Sequence, residues 1–344
     1  MLNTVYQLVR PRQFEAAFED ISLDGTHILV RPRYLSICNA DQRYYQGKRP
    51  EDVLRQKLPM ALIHEGAGQV VYDPTGTFQT GEKVILIPNT PCEQDEVIAE
   101  NYLRSSRFRG SSMNGLMQEY VETVPDRLVR LPEGMNELVA AFTEMVTVCY
   151  HAIARFDRTA HSRRETIGVW GDGNMGYITS LLLKSWFPGC RVCVFGVTEN
   201  KLNDFSFADE VYLVTQIPKE LRIDHGFECV GGNAAGQAIN QIIDCIHPEG
   251  TIALLGVSEN PVPIHTRMVL EKGLRILGTS RSGRQDFLGL LRLYERQPKI
   301  TSYLEKLIGG VVPVRGIRDM EAAFEMDIHK IMGKTIMIWD SEGF

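Results

Sequence analysis

The stretch Glu165-Thr-Ile-Gly-Val-Trp-Gly171-Asp-Gly173-Asn174-Met175-Gly176 decides the fold. A short apolar run empties into three glycines spaced G-x-G-x-x-G, a spacing suited to cradling a pyrophosphate. Gly171 permits a tight turn off a strand, Gly173 lets the backbone approach phosphate without a Cβ, and Gly176 lets the next helix lie close to the sheet. The start of that helix, with Asn174 and Met175, offers free N–H groups and a positive dipole end to the anion. Such a loop can also be a simple turn, so its flanks matter. Thr166–Trp170 reads as a buried parallel strand, Met175–Phe187 as a helix stopped by Pro188-Gly189, and Arg191–Val197 as a second strand. That is βαβ in the required order.

Downstream the alternation continues with strands at Glu210–Val214, Ile223–Val230, Thr251–Val257 and Leu274–Gly278 and a helix at Ala234–Ile246. Together they make about six parallel strands, an α/β doubly wound sheet. A helix follows at Asp286–Glu295. Upstream, the short strands Ile28–Arg33, Ala67–Tyr72 and Glu82–Ile87, with a turn at Asp73-Pro-Thr-Gly76, predict an irregular β domain. Leu116–Val121 reads as a strand and Glu137–Ala154 as a helix that carries Glu144 on a largely apolar face.

With 344 residues the chain is long for one core, and two domains are expected. A net charge of −6 gives no basic field and argues against nucleic acid as a principal partner. The N-terminal stretch lacks a signal-peptide core, and no apolar run approaches the roughly 20 residues needed to span a bilayer, so no membrane role is expected. Seven cysteines without regular spacing read as reduced thiols of a cytoplasmic protein.

Chemistry gathers at Ser36-Ile37-Cys38-Asn39-Ala40-Asp41 and Leu62-Ile63-His64-Glu65-Gly66-Ala67-Gly68. A thiolate, an imidazole and a carboxylate suit zinc. Singly, each also fits a core cysteine or a structural histidine, and sequence does not bring positions 38 and 64 together. Glu144 needs a metal or a cation to justify its burial. The loop Arg104-Ser-Ser-Arg107-Phe-Arg109 puts three arginines within six positions, either a phosphate site or a solvated surface.

These residues resemble the zinc-dependent medium-chain dehydrogenase/reductases, the alcohol and polyol dehydrogenases. His64-Glu65-Gly66-Ala67-Gly68 is similar to their zinc signature, with Ile63 in place of the usual leading glycine. Cys38 with Asp41 resembles the first-ligand segment, and Gly171–Gly176 the cofactor loop. The resemblance implies a GroES-like β catalytic domain built from both ends of the chain (1–148 and 282–344) around a Rossmann domain (149–281). It implies one catalytic zinc on Cys38 and His64, with Glu65 and Glu144 as further acidic positions and Asp41 orienting His64. No structural zinc is expected, since Cys92 is the only cysteine between 39 and 148. A homodimer formed through the cofactor domains is also implied. The family's relay hydroxyl is replaced by Ala40 and its relay histidine by Arg43, leaving Tyr44, Glu65 or metal-bound water to pass the proton.

A narrower likeness, carried by Arg104–Tyr120 and Thr279–Phe287, is to members that reduce ribulose 5-phosphate to ribitol 5-phosphate for CDP-ribitol, and so for teichoic acid or capsule. For the sugar phosphate the candidates are Arg104, Arg107 and Arg109, with Arg43 and Arg284 as helpers, and strand spacing, which places Arg107 and Arg109 on one face, favours those two. The second cofactor strand ends at Gly196, where an NAD enzyme usually carries an acid. Thr198 and Lys201 are then free to hold a 2′-phosphate, so NADPH is expected, with Glu199 as the residue that could still favour NADH. The alternatives are a dehydrogenase of unphosphorylated polyols or alcohols, and a nucleotide-binding protein without catalysis.

Overall fold

The computed structural model describes residues 1–23 and 25–339. The chain forms two compact units, Val146–Arg281 and a second built from Met1–Met145 with Ser282–Phe344.

The middle unit holds a six-stranded parallel sheet in the order Glu210–Leu213, Arg191–Gly196, Thr166–Trp170, Ile223–Glu228, Ile246–Leu254, Arg275–Gly278. Thr166–Trp170 lies centrally and is buried at every position, as an uninterrupted apolar run requires when helices cover both faces. Strand order reverses around it, which is where such sheets bind ligands. The helix Ala235–Cys245 buries Ala238, Ile239, Ile242 and Ile243, one stripe at helical spacing. That stripe shares a core with Trp170, Phe195 and Ile252. The rings of Trp170 and Phe195 stack 3.8 Å apart.

The other unit is organised on a seven-stranded sheet in the order Ile308–Val314, Lys334–Trp339, Ile28–Ser36, Glu65–Tyr72, Lys83–Leu86, Leu128–Arg130, with Val121–Thr123 also paired to Ile28–Ser36. The C-terminal strand Lys334–Trp339 is therefore interior, antiparallel to Ile28–Ser36.

Two sequence expectations are corrected. Leu116–Val121 is not a strand. Gly115 N–H donates to Ala61 O, Leu116 N–H to Ile63 O and Met117 N–H to Leu62 O, so this segment braces the chain leading into His64, and the strand is confined to Val121–Thr123. Glu137–Ala154 is not one helix. A short helix Glu137–Ala140, capped by Asn136, ends before a new one, Thr143–Thr159. That restart puts Glu144 in a first turn, where the helix dipole favours a carboxylate. Among the described residues no helix is long and apolar enough to cross a membrane.

Candidate active site

Cys38 stands at the N-cap of the helix Asn39–Tyr45, just beyond the strand Ile28–Ser36. Asp41, three residues on, reaches back so that its Oδ2 accepts from Cys38 N–H at 3.0 Å. Its Oδ1 accepts from Ile63 N–H at 3.1 Å and lies 3.6 Å from His64 Nδ1. One buried carboxylate thus ties the Cys38 turn to the His64 turn and leaves the other imidazole nitrogen, Nε2, facing away. Glu65 is the first residue of its strand and pairs across the ladder with Ser36. The sulfur, imidazole and carboxylate of Cys38, His64 and Glu65 converge, their ligand atoms all within 4.8 Å of one another. Glu144 Oε2 lies 3.9 Å from His64 Nε2.

The backbone that delivers His64 is strained. Ile63 has φ +71°, the left-handed region open to glycine and costly to a β-branched residue. The glycine expected at this position is now explained, and Ile63 holds the same conformation under Asp41 and Leu116.

The electrostatics of the site favour a cation. Burial alone would lower the His64 pKa, yet the Asp41 carboxylate and the Cys38 sulfur raise it well above the ordinary value. Burial raises the Glu144 pKa and Glu65 adds repulsion, while His64 and Lys334 oppose them. Glu65 is fully buried, accepting from Ser36 Oγ at 2.8 Å and from Lys334 Nζ at 2.9 and 2.8 Å. A half-buried thiol and three buried carboxylates against one lysine suit a divalent ion bound by sulfur, nitrogen and oxygen.

The glycine loop also fits its expected ligand. Gly171 has φ +132°, and a Cβ on Gly176 would lie 1.9 Å from Gly171 O, while one on Gly173 would meet nothing within 4 Å. Gly173 is the N-cap of the helix Asn174–Trp186 and has no side chain to close the open N–H groups.

The arginines are redistributed. Arg107–Phe108 is a strand of only two residues, and the ring of Phe108 packs 5.3 Å from the His64 ring. Arg107 and Arg109 do not share a face: Arg107 and Arg104 are exposed, whereas Arg109 is buried and donates to Glu122 O at 2.6 Å and Asn114 O at 3.4 Å. Burial, with Arg107 nearby, pulls the Arg109 pKa down to about 10. Arg284 is likewise committed, donating to Leu128 O at 2.9 Å and pairing with Asp126 at 3.0 Å. Both leave the list of phosphate ligands. Tyr44 is buried in the apolar core under the Arg49 guanidinium, a poor position for a proton relay.

Three residues that matter here were not singled out from the sequence. Lys334 and Ser36 fix Glu65 from strands far apart in the chain; Ser36 opens the Cys38 segment but has no role there in the sequence reading, and nothing local marks Lys334. Asp172, inside the glycine loop, accepts from two backbone N–H groups beyond the Arg191–Gly196 strand.

Residues 24–133 match the family model described as the alcohol dehydrogenase GroES-like domain, and residues 188–296 match that of the zinc-binding dehydrogenases. The chain is 54% identical to the ribulose-5-phosphate reductase of Bacillus spizizenii over 99% of its length and 100% of that protein's. The chain belongs to the zinc-dependent medium-chain dehydrogenase/reductases. Within this family it is also 51% identical to ribulose-5-phosphate reductase 2 of Staphylococcus aureus, covering 98% of this chain and 99% of that one. Its fold matches the crystal structure of S. aureus TarJ in complex with NADPH, with a TM-score of 0.89 and 47% identity over 99% of this chain and 100% of the other.

Proposed function

We propose that this protein reduces the keto group of ribulose 5-phosphate with NADPH, giving ribitol 5-phosphate for CDP-ribitol synthesis. The observation that carries this reading is the 54% identity, along the whole length of both chains, to a ribulose-5-phosphate reductase. In it Met1–Met145 with Ser282–Phe344 is the catalytic domain and Val146–Arg281 the cofactor domain. One zinc, and no structural one, would be held by Cys38, His64 and Glu65, with Glu144 beside His64. When bound, the metal polarises the carbonyl oxygen and the dihydronicotinamide supplies the hydride. Asp41 holds His64 in the orientation that presents Nε2, and Lys334 offsets the Glu65 charge while the site is assembled.

For the phosphate end, Arg107, Arg104 and Arg43 are the remaining candidates. Burial and the neighbouring Arg49 guanidinium lower the Arg43 pKa. Arg107→Ala is expected to cost roughly 10- to 150-fold in kcat/KM with ribulose 5-phosphate and little with an unphosphorylated ketose. The Gly196 strand end, with Thr198 and Lys201, supports NADPH over NADH, as does the NADPH bound to S. aureus TarJ.

Place and assembly follow from the same reading: a cytoplasmic homodimer whose cofactor domains meet through the edge strand Arg275–Gly278, where Ile276 is 41% exposed. Neither a nucleic-acid nor a membrane partner forms part of it.

The test is a panel of ribulose 5-phosphate, ribulose, sorbitol and ribitol assayed with both cofactors, alongside metal analysis of wild type and Cys38→Ser. Preference for ribulose, or metal-free protein with full turnover in Cys38→Ser, would sink the proposal.

A further inference from the structure

The glycine loop contains an acid that the reaction does not use. Asp172 is buried, 9% exposed, between Gly171 and Gly173. Its Oδ2 accepts from the N–H groups of Val197 at 2.9 Å and Thr198 at 2.8 Å. Those residues immediately follow the Arg191–Gly196 strand, where dinucleotide-binding sheets usually carry the carboxylate that receives the ribose 2′-hydroxyl. Here the strand ends in glycine for a steric reason. A Cβ on Gly196 would lie 2.6 Å from Asp172 Cβ and 2.9 Å from its Oδ2. The carboxylate arrives from the glycine loop, and the strand end is cleared to admit it.

An acid at this place would ordinarily repel a 2′-phosphate. In this arrangement the oxygen facing the turn is occupied by two N–H donors, which stabilise its charge locally. The turn it holds is the one that carries the Thr198 hydroxyl at the N-cap of the short helix Glu199–Leu202, with Lys201 one turn on. We propose that Asp172 is a positioning residue for cofactor discrimination: it fixes the 197–201 turn so that Thr198 and Lys201 meet the 2′-phosphate of NADPH. This role rests on the NADPH preference proposed above. It requires a hydrogen-bond acceptor at position 172 and not a negative charge, so an asparagine, whose amide oxygen also accepts, substitutes for it.

The experiment is calorimetric titration of the full-length enzyme with adenosine 2′,5′-bisphosphate and with 5′-AMP, which differ only in the 2′-phosphate. Asp172→Ala is expected to weaken bisphosphate binding about tenfold and change AMP binding less than about threefold, while Asp172→Asn keeps both within about threefold of wild type. Unchanged discrimination in the alanine variant overturns the role, as does an asparagine variant that loses discrimination like alanine. If the alanine variant loses AMP as well, the asparagine variant decides, retained preference supporting the role and lost preference overturning it. A wild type that binds the two nucleotides equally removes the NADPH reading and this role together, and is distinguishable because the failure precedes any substitution.

Discussion

Ile63 sets two energies against each other. Its left-handed backbone costs of order 1–3 kcal/mol, while the fully buried side chain contributes, by comparison with core truncations, roughly 2–5 kcal/mol. Burial wins, so Ile63→Gly, although it restores the residue expected of the signature, should lower stability by about 1–3 kcal/mol net. Urea denaturation checks this, and a stabilised variant would show that strain dominates. Lys334 presents the opposite case. Both it and Glu65 are buried, and removing one partner of such a pair strands the other's charge, at roughly 3–5 kcal/mol. Lys334→Met is expected to lose that much in metal-free protein, and Glu65→Gln added to it should recover a large part, as a double-mutant cycle would measure. These two residues also mark the limit of what sequence conveys. Cys38, His64 and Asp41 were readable because each sits in a local motif with its own chemistry. Lys334 was not, since its partner is 269 positions away and only strand pairing brings the two together. The strain at Ile63 was visible only as a missing glycine.

The regular elements of the middle unit were legible for a physical reason: parallel strands buried on both faces are uninterrupted apolar runs, and glycine or proline stops them. Loops gave less. Strand alternation placed Arg107 and Arg109 together, but a two-residue strand imposes no periodicity beyond itself, and Arg109 folds inward to serve carbonyl oxygens. Arg109→Ala should therefore destabilise the protein by about 1–3 kcal/mol and reduce turnover of phosphorylated and unphosphorylated ketoses in equal proportion. A loss confined to the phosphorylated substrate would return Arg109 to the binding site. In the sheet, His225 links three segments: its Nδ1 accepts from Thr251 N–H at 3.1 Å, and its Nε2 donates to Arg163 O at 3.0 Å. That pattern needs the neutral ring, and burial, with His161 alongside, lowers the pKa to about 4. Unfolded, the ring titrates near 6.5, so between these values the unfolded chain binds the extra proton. Stability is complete above about pH 6.5 and falls as pH drops toward 4, by about 3 kcal/mol from this residue. Comparing urea midpoints across that range should show a shallower slope in His225→Gln, and identical slopes would rule the histidine out.

For the whole chain, the decisive arrangement is that one unit is split and the other continuous. Truncation after Arg281 removes Lys334–Trp339, an interior strand, and with it the cation beside Glu65. Such a fragment is expected to bind adenine nucleotides through the glycine loop while failing to retain zinc, and metal analysis beside nucleotide titration separates the two. A fragment carrying stoichiometric zinc would show that the C-terminal strand is dispensable to the site.

The interior place of that strand also dictates a timetable at the ribosome. Ile28–Ser36 emerges early, yet one of its three pairing strands, which carries the lysine that offsets Glu65, is synthesised roughly 300 residues later. At roughly 5–20 residues per second, the nascent N-terminal third waits on the order of ten seconds or more with an unpaired strand edge and an unfinished metal cage, while the continuous middle can already close around its nucleotide. The newborn polypeptide is thus exposed, before release, to edge-to-edge association and to scavenging by other thiophilic ions. Faster elongation through the middle codons would shorten that vulnerable interval.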